Sequence, residues 1–161
     1  MEDAVNQDIL IRQAKPTDYG ILAEMMADSD PWQRLGISSS DLLSLVSESI
    51  REAYVAQIDD QVIGGVILET YGSFTGYIKS ICVSPFYRNK GVGRLLMEYV
   101  EQRIFREKPN VFLCVSGFNH EAQCFYEALG YSVVGVLDDY LVSGEFEVLM
   151  RKTIAPINEF R

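Results

Sequence analysis

Apolar positions recur with a helical period late in the first hundred residues. Val92, Leu95, Leu96, Tyr99 and Val100 fall at i, i+3, i+4, i+7 and i+8, which predicts an amphipathic helix over 92–105. The preceding stretch, Tyr77-Ile78-Lys79-Ser80-Ile81-Cys82-Val83, is β-branched and aromatic and reads as the end of a strand over 74–83. Ser84-Pro85 stops it, because proline has no N–H to give to a ladder. Arg88-Asn89-Lys90-Gly91-Val92-Gly93-Arg94 links this strand to the helix.

The same patterning extends to both sides. A strand is predicted over 9–14, followed by a helix through Tyr19, Ile21, Leu22, Met25 and Met26 with Thr17 or Asp18 as cap. Residues 28–40, holding Pro31, Trp32 and Gly36, read as irregular. Ser38-Ser39-Ser40-Asp41 then opens a second helix with Leu42, Leu43, Leu45, Val46 and Ile50 on its apolar side. Strands follow over 53–58 and 62–71, with turn signals at Asp59-Asp60-Gln61 and Gly72-Ser73. Beyond the central helix, Val111-Phe112-Leu113-Cys114-Val115 is continuously apolar, as in a buried parallel strand. Asn119 stands as a cap before a helix with Ala122, Phe125, Tyr126 and Leu129 on one face, and Gly130 ends it. Residues 131–136 and 145–152 form a closing hairpin around Ser143-Gly144, with a short tail over 154–161.

Composition narrows the class. The 161 residues suit one α/β domain with a sizeable core, over 1–161. No apolar run reaches membrane-span length, so no membrane partner is expected. The N-terminal residues MEDAVNQD lack the pattern of a signal peptide. Cys82, Cys114 and Cys124 have no metal-ligand spacing; they read as reduced thiols in a cytoplasm, with no metal expected. The net charge of −9 argues against nucleic acid as a partner. Acids outnumber bases over residues 1–52, and the basic loop 88–94 is a local exception. That contrast suits a protein that holds an anionic cofactor and admits a cationic partner.

The loop itself suggests which anion. The first turn of a helix carries unpaired N–H groups and the positive end of the helix dipole. Gly91 and Gly93 remove side chains where a ligand could approach, and Arg88, Lys90 and Arg94 add charge, so a pyrophosphate fits. No Gly-Lys-Ser/Thr ends the loop, so it is not a Walker loop. Leu96 stands where a dinucleotide fingerprint needs a small residue. A solvated turn that starts a helix has the same outline.

Arg88-Asn89-Lys90-Gly91-Val92-Gly93 resembles the Arg/Gln-x-x-Gly-x-Gly/Ala loop of the GCN5-related N-acetyltransferases. The element order β-α-α-β-β-β-α-β-α-β-β over 9–153 is similar to that family, and so is the later segment from Leu113 through Asn119, Tyr126 and Leu129-Gly130-Tyr131. The resemblance implies a mixed, mostly antiparallel sheet of about seven strands with about four helices, splayed between strands 4 and 5. It also implies an acetyl-CoA-dependent N-acetyltransferase that modifies a primary amine of a cationic small molecule or a protein by direct attack. The backbones of Ile81, Cys82 and Val83 would line the co-substrate, and the loop from Arg88 to Arg94 would hold the pyrophosphate. Asn119 would bond the pantetheine arm, or serve only as a helix cap.

Tyr126 matches the family tyrosine that protonates the departing CoA sulfur, and a phenol keeps its proton at neutral pH. For the base, Cys114 stands where some members that acetylate protein N-termini carry glutamate. Glu69 is the leading candidate, with Asp139, Glu145 or a water relay as alternatives. His120, the only histidine, and Trp32, in the region where the family builds its acceptor pocket, complete the candidates. A non-catalytic acyl-CoA-binding module is the alternative function. The apolar closing strands over 133–149 permit a homodimer.

Overall fold

A computed structural model describes residues 8–161; residues 1–7 lie outside the described residues. Seven strands hydrogen-bond in the order β1-β2-β3-β4-β5-β7-β6. They are β1 (Leu10–Gln13), β2 (Arg51–Ile58), β3 (Gln61–Glu69), β4 (Tyr77–Val83), β5 (Asn110–Ser116), β6 (Ser132–Asp138) and β7 (Phe146–Thr153). The pairs β1–β2, β5–β7 and β6–β7 are antiparallel, whereas β4–β5 is parallel. The mixed sheet and its helices match the expected architecture. The β4–β5 register comprises only Tyr77↔Phe112 and Ile78↔Leu113, so β4 runs on from Lys79 without a β5 partner.

The residues form two compact units, one from the chain up to Ile67 with Ser80–Val100, the other from Leu68–Lys79 with Glu101–Arg161. In the first, α1 (Tyr19–Ala27) and α3 (Ser39–Ser47) bury Leu22, Met26, Leu42 and Val46 against Val55, Ile67 and Cys82. The start of α4 (Val92–Phe105) buries Val92, Leu96 and Met97. Two adjacent glycines of β3 let these helices approach. A Cβ on Gly65 would overlap the Leu22 side chain, and one on Gly64 would lie 3.2 Å from Leu96 Cδ1 and 3.3 Å from Val92 Cγ1. In the second unit, α5 (His120–Ala128) and the end of α4 accompany the core of Val111, Leu113, Val115, Val148 and Met150.

Several local expectations change. The stretch 28–40 contains a short helix, α2 (Trp32–Leu35). Asp18 does not cap α1 through its side chain. Its carboxylate instead accepts the Lys15 N–H at 2.7 Å and the Arg12 guanidinium at 2.7 Å. Those two donors hold it, so it is unavailable to the helix start. Ser38 does cap α3, accepting the Asp41 N–H, but the helix ends at Ser47 and leaves Ile50 exposed. The fourth strand begins at Tyr77 rather than 74, because Phe74 turns away to meet the Phe112 ring edge-on at 5.0 Å between centroids. The tail is tied at its start, where Ile154 N–H donates to Pro109 O at 3.0 Å.

Candidate active site

The 88–94 loop belongs to the first unit. Asn89 and Gly91 both have left-handed backbones, with φ of 58° and 84°. This bend presents the start of α4. The first backbone bond of the helix is Leu95 N–H to Gly91 O at 3.1 Å. Among the described residues, the N–H groups of Gly91, Val92, Gly93 and Arg94 have no backbone acceptor. A Cβ at Gly91 would meet nothing within 4 Å, so the space beside the loop is open. Unpaired donors, a positive helix end and open space are what a diphosphate requires.

The basic side chains differ in availability. Arg88 braces the loop, donating from Nε to Val83 O at 3.1 Å and from its terminal nitrogen to Ser29 Oγ at 3.2 Å. Lys90 is exposed, with Nζ 5.7 Å above the Tyr87 ring. Arg94 is exposed beside Glu98 at 3.8 Å. Val92 is buried and can contribute only its backbone. The same holds for Cys82, whose thiol burial pushes up to about 12, well away from reactivity. Ile81 and Val83 flank it, half-buried. Trp32 donates to Ser80 Oγ at 3.4 Å, which ties it to β4.

Asn119 and Tyr126 belong to the second unit. Asn119 Oδ1 accepts the Ala122 N–H at 3.1 Å, so its capping role is real. Its amide nitrogen remains a free donor among the described residues. Tyr126 is 8% exposed, packed edge-on against Phe125 and Tyr131 at 5.2 and 5.8 Å. Burial raises its phenol pKa, so the proton stays on at neutral pH. Its hydroxyl has no hydrogen bond among the described residues. No polar side-chain atom there is both sealed and unbonded, so this hydroxyl keeps access to solvent. The phenol thus keeps its proton at neutral pH, and its O–H is not committed to another group among the described residues.

A second group of polar residues lies across β4, β5 and β7 in the same unit. The Cys114 thiol interacts with the Tyr77 phenol, not with His120, which is exposed at the start of α5. Burial raises the Cys114 pKa, with Tyr77 acting in the opposite direction. The Tyr77 pKa is raised by burial first, then by Cys114, with Tyr140 and Glu69 adding negative potential. Glu69 is thus near Tyr77, half-buried at the end of β3. Asp139 is occupied, accepting Gly144 N–H at 2.6 Å in the β6–β7 connection. Sequence reasoning missed Glu147. It pairs in register with Ser116, is 5% exposed and accepts from Ser116 Oγ at 2.8 Å. A lone acid inside the apolar run Phe146-Glu147-Val148-Leu149-Met150 was the available signal.

Among the described residues, no group of three His, Cys, Asp or Glu is placed to hold a metal ion, and no helix is long and apolar enough to cross a membrane.

Residues 19–131 match the model of the acetyltransferase (GNAT) family, and the chain belongs to that family. It is an N-acetyltransferase acting on amines, a class that uses acetyl-CoA. The chain is 29% identical over 131 residues to the peptidyl-lysine N-acetyltransferase YiaC of Escherichia coli K12, covering 78% of this chain and 84% of that one. An aminoglycoside 6'-N-acetyltransferase complexed with coenzyme A superposes with a TM-score of 0.74 at 21% identity, over 91% of this chain and 98% of that one. The ribosomal-protein-S18-alanine N-acetyltransferase of Escherichia coli gives 0.76 at 18% identity, over 96% and 100%. These two structures share the fold. Family membership favours the enzyme over the non-catalytic module.

Proposed function

We propose that the chain acts as one acetyltransferase domain, with the 88–94 loop taking the pyrophosphate of acetyl-CoA and Tyr126 acting as the acid. The observation that carries this reading is the run of N–H groups from Gly91 to Arg94 with no backbone acceptor among the described residues, beside the open space at Gly91. Lys90 and Arg94 add long-range attraction for the anion, and Arg88 keeps the loop closed onto Val83. Acetyl-CoA supplies an activated acetyl carbonyl and a thiolate leaving group. The backbone of Ile81, Cys82 and Val83 supplies an unpaired strand edge for its pantetheine. The Asn119 amide is a further donor for that arm. Tyr126 Oη holds the proton that the sulfur needs.

The acceptor in this reading is a cationic small amine or a protein amine. The acidic excess over residues 1–52, together with Glu69, Glu145 and Glu147, supports it. YiaC acts on peptidyl lysine and the two structural neighbours on an aminoglycoside and an alanine, each an amine. The test is thiol release from acetyl-CoA with kanamycin, spermidine, a lysine-containing peptide and a peptide with a free α-amine. Turnover with at least one supports the reading. Acetyl-CoA binding with no acetylated product from any amine contradicts it.

A further inference from the structure

We infer that Glu147 is the carboxylate that takes the proton from the acceptor's ammonium group. The inference rests on the amine-acetylation reading above and names a residue that reading lacks.

A contrast within the second unit carries it. Glu101 is also buried, at 5% exposure, and both of its oxygens are satisfied: Tyr131 donates to Oε1 at 2.9 Å and Lys152 to Oε2 at 2.6 Å. That is how a structural buried carboxylate is kept. Glu147 is equally buried but, among the described residues, pairs with no cation. Ser116 donates to its Oε1 at 2.8 Å, and its Oε2 has no partner among the described residues. Because no sealed polar atom there is left unbonded, Oε2 keeps an opening to solvent. Glu147 is therefore a carboxylate fixed at one oxygen and free at the other, in a position where leaving it uncompensated costs stability. Such arrangements concentrate at sites of chemistry.

Its surroundings suit a base. Burial raises the Glu147 pKa, the Ser116 hydrogen bond moderates the rise, and the Glu145 charge adds to it. A carboxylate held above its ordinary range is a better proton acceptor near neutral pH. The titratable groups that bear on Glu147 are Cys114 on β5 and Glu145 before β7; its partner on β6 is Leu137. Glu69, the alternative, is only half-buried.

The proton balance closes. Glu147 takes one proton from the ammonium, leaving a neutral amine. The amine nitrogen forms a bond to the acetyl carbon as the carbon–sulfur bond breaks. Tyr126 gives its proton to the sulfur, and the second nitrogen proton replaces it. Glu147 then releases its proton to water, leaving an amide and a free thiol.

The test uses the full chain with Glu147→Gln, Glu147→Asp, Ser116→Ala and Glu69→Gln, and the fastest of the four amines named above. In Glu147→Gln, calorimetric acetyl-CoA binding stays within about twofold of wild type, while kcat/KM at pH 7 falls about 10²–10³-fold. Its kcat/KM then rises tenfold per pH unit toward the amine pKa, whereas wild type levels off. Glu147→Asp recovers a plateau, which separates lost chemistry from misfolding. Ser116→Ala moves the acid limb to higher pH, since the lost bond favoured the ionised carboxylate. A wild-type-shaped profile in Glu147→Gln, or the rising limb in Glu69→Gln instead, overturns the assignment. A readout independent of turnover is ¹³C NMR titration of the glutamate carboxyls. The resonance lost in Glu147→Gln titrates above the ordinary range; an ordinary midpoint overturns the inference. Absence of amine turnover in wild type overturns the transferase reading and this assignment with it, whereas turnover in wild type with an ordinary Glu147 midpoint overturns this assignment alone.

Discussion

The Tyr131 hydroxyl lies 2.9 Å from the Glu101 carboxylate, joining the residue just past α5 to the second half of α4. Both residues are buried, and Lys152 on β7 completes the cluster from the other carboxylate oxygen. The Tyr131 ring also supports Tyr126 edge-on, so the bond helps to set the tyrosine proposed as the acid.

Tyr131→Phe keeps the ring and removes the donor, leaving a buried charged acceptor half satisfied. The expected loss is about 1.5–3 kcal/mol of unfolding free energy. Urea denaturation measures it as a lower midpoint with an unchanged slope. A shift within error of zero would mean that water replaces the hydroxyl at no cost.

Tyr126→Phe has a different expected outcome, because the Tyr126 hydroxyl bonds nothing among the described residues. Stability should change little, within about 0.5 kcal/mol. Turnover should fall about 10²–10⁴-fold, with acetyl-CoA affinity kept. Steady-state kinetics with calorimetry checks this. A fully active Tyr126→Phe would remove the tyrosine from the chemistry.

Asp18 gives a pH dependence with a definite sign. Arg12 foremost, then the Lys15 N–H, hold its carboxyl below the usual range against the opposing effect of burial. A folded pKa below the unfolded one contributes stability above the unfolded value, near 3.9, and this is lost as the pH falls through the folded value. Asp18→Asn should therefore be less stable than wild type at pH 7, with the gap closing below about pH 4. Thermal melts from pH 3 to 7 measure that gap.

Much of the fold was legible because its signals are local. The 3.6-residue period of Val92, Leu96 and Val100 places α4, and Asn119 with Gly130 brackets α5, without reference to distant residues. The errors have non-local causes. Asp18 looks like a helix cap until Arg12, six residues away, claims it. Phe74 looks like a strand residue until Phe112 draws it out. The site shows the same division. The loop could be read from Gly91 and Gly93, but Arg88 proved to brace it through Val83 and Ser29. Glu147 was overlooked in favour of Glu145 because only the β5–β7 register sets it against Ser116.

The central claim is that the start of α4 receives the pyrophosphate of acetyl-CoA, and Gly91 tests it most directly. Gly91 lies in open space, so Gly91→Val blocks ligand approach and strains φ at a cost of about 1–2 kcal/mol without disturbing the core. The measurement is calorimetric titration of wild type and Gly91→Val with acetyl-CoA. The expected result is a Kd of about 1–100 μM for wild type and at least tenfold weaker binding for the folded variant, a difference of about 1.4 kcal/mol or more. Equal affinity in both would place the pyrophosphate elsewhere and contradict the account.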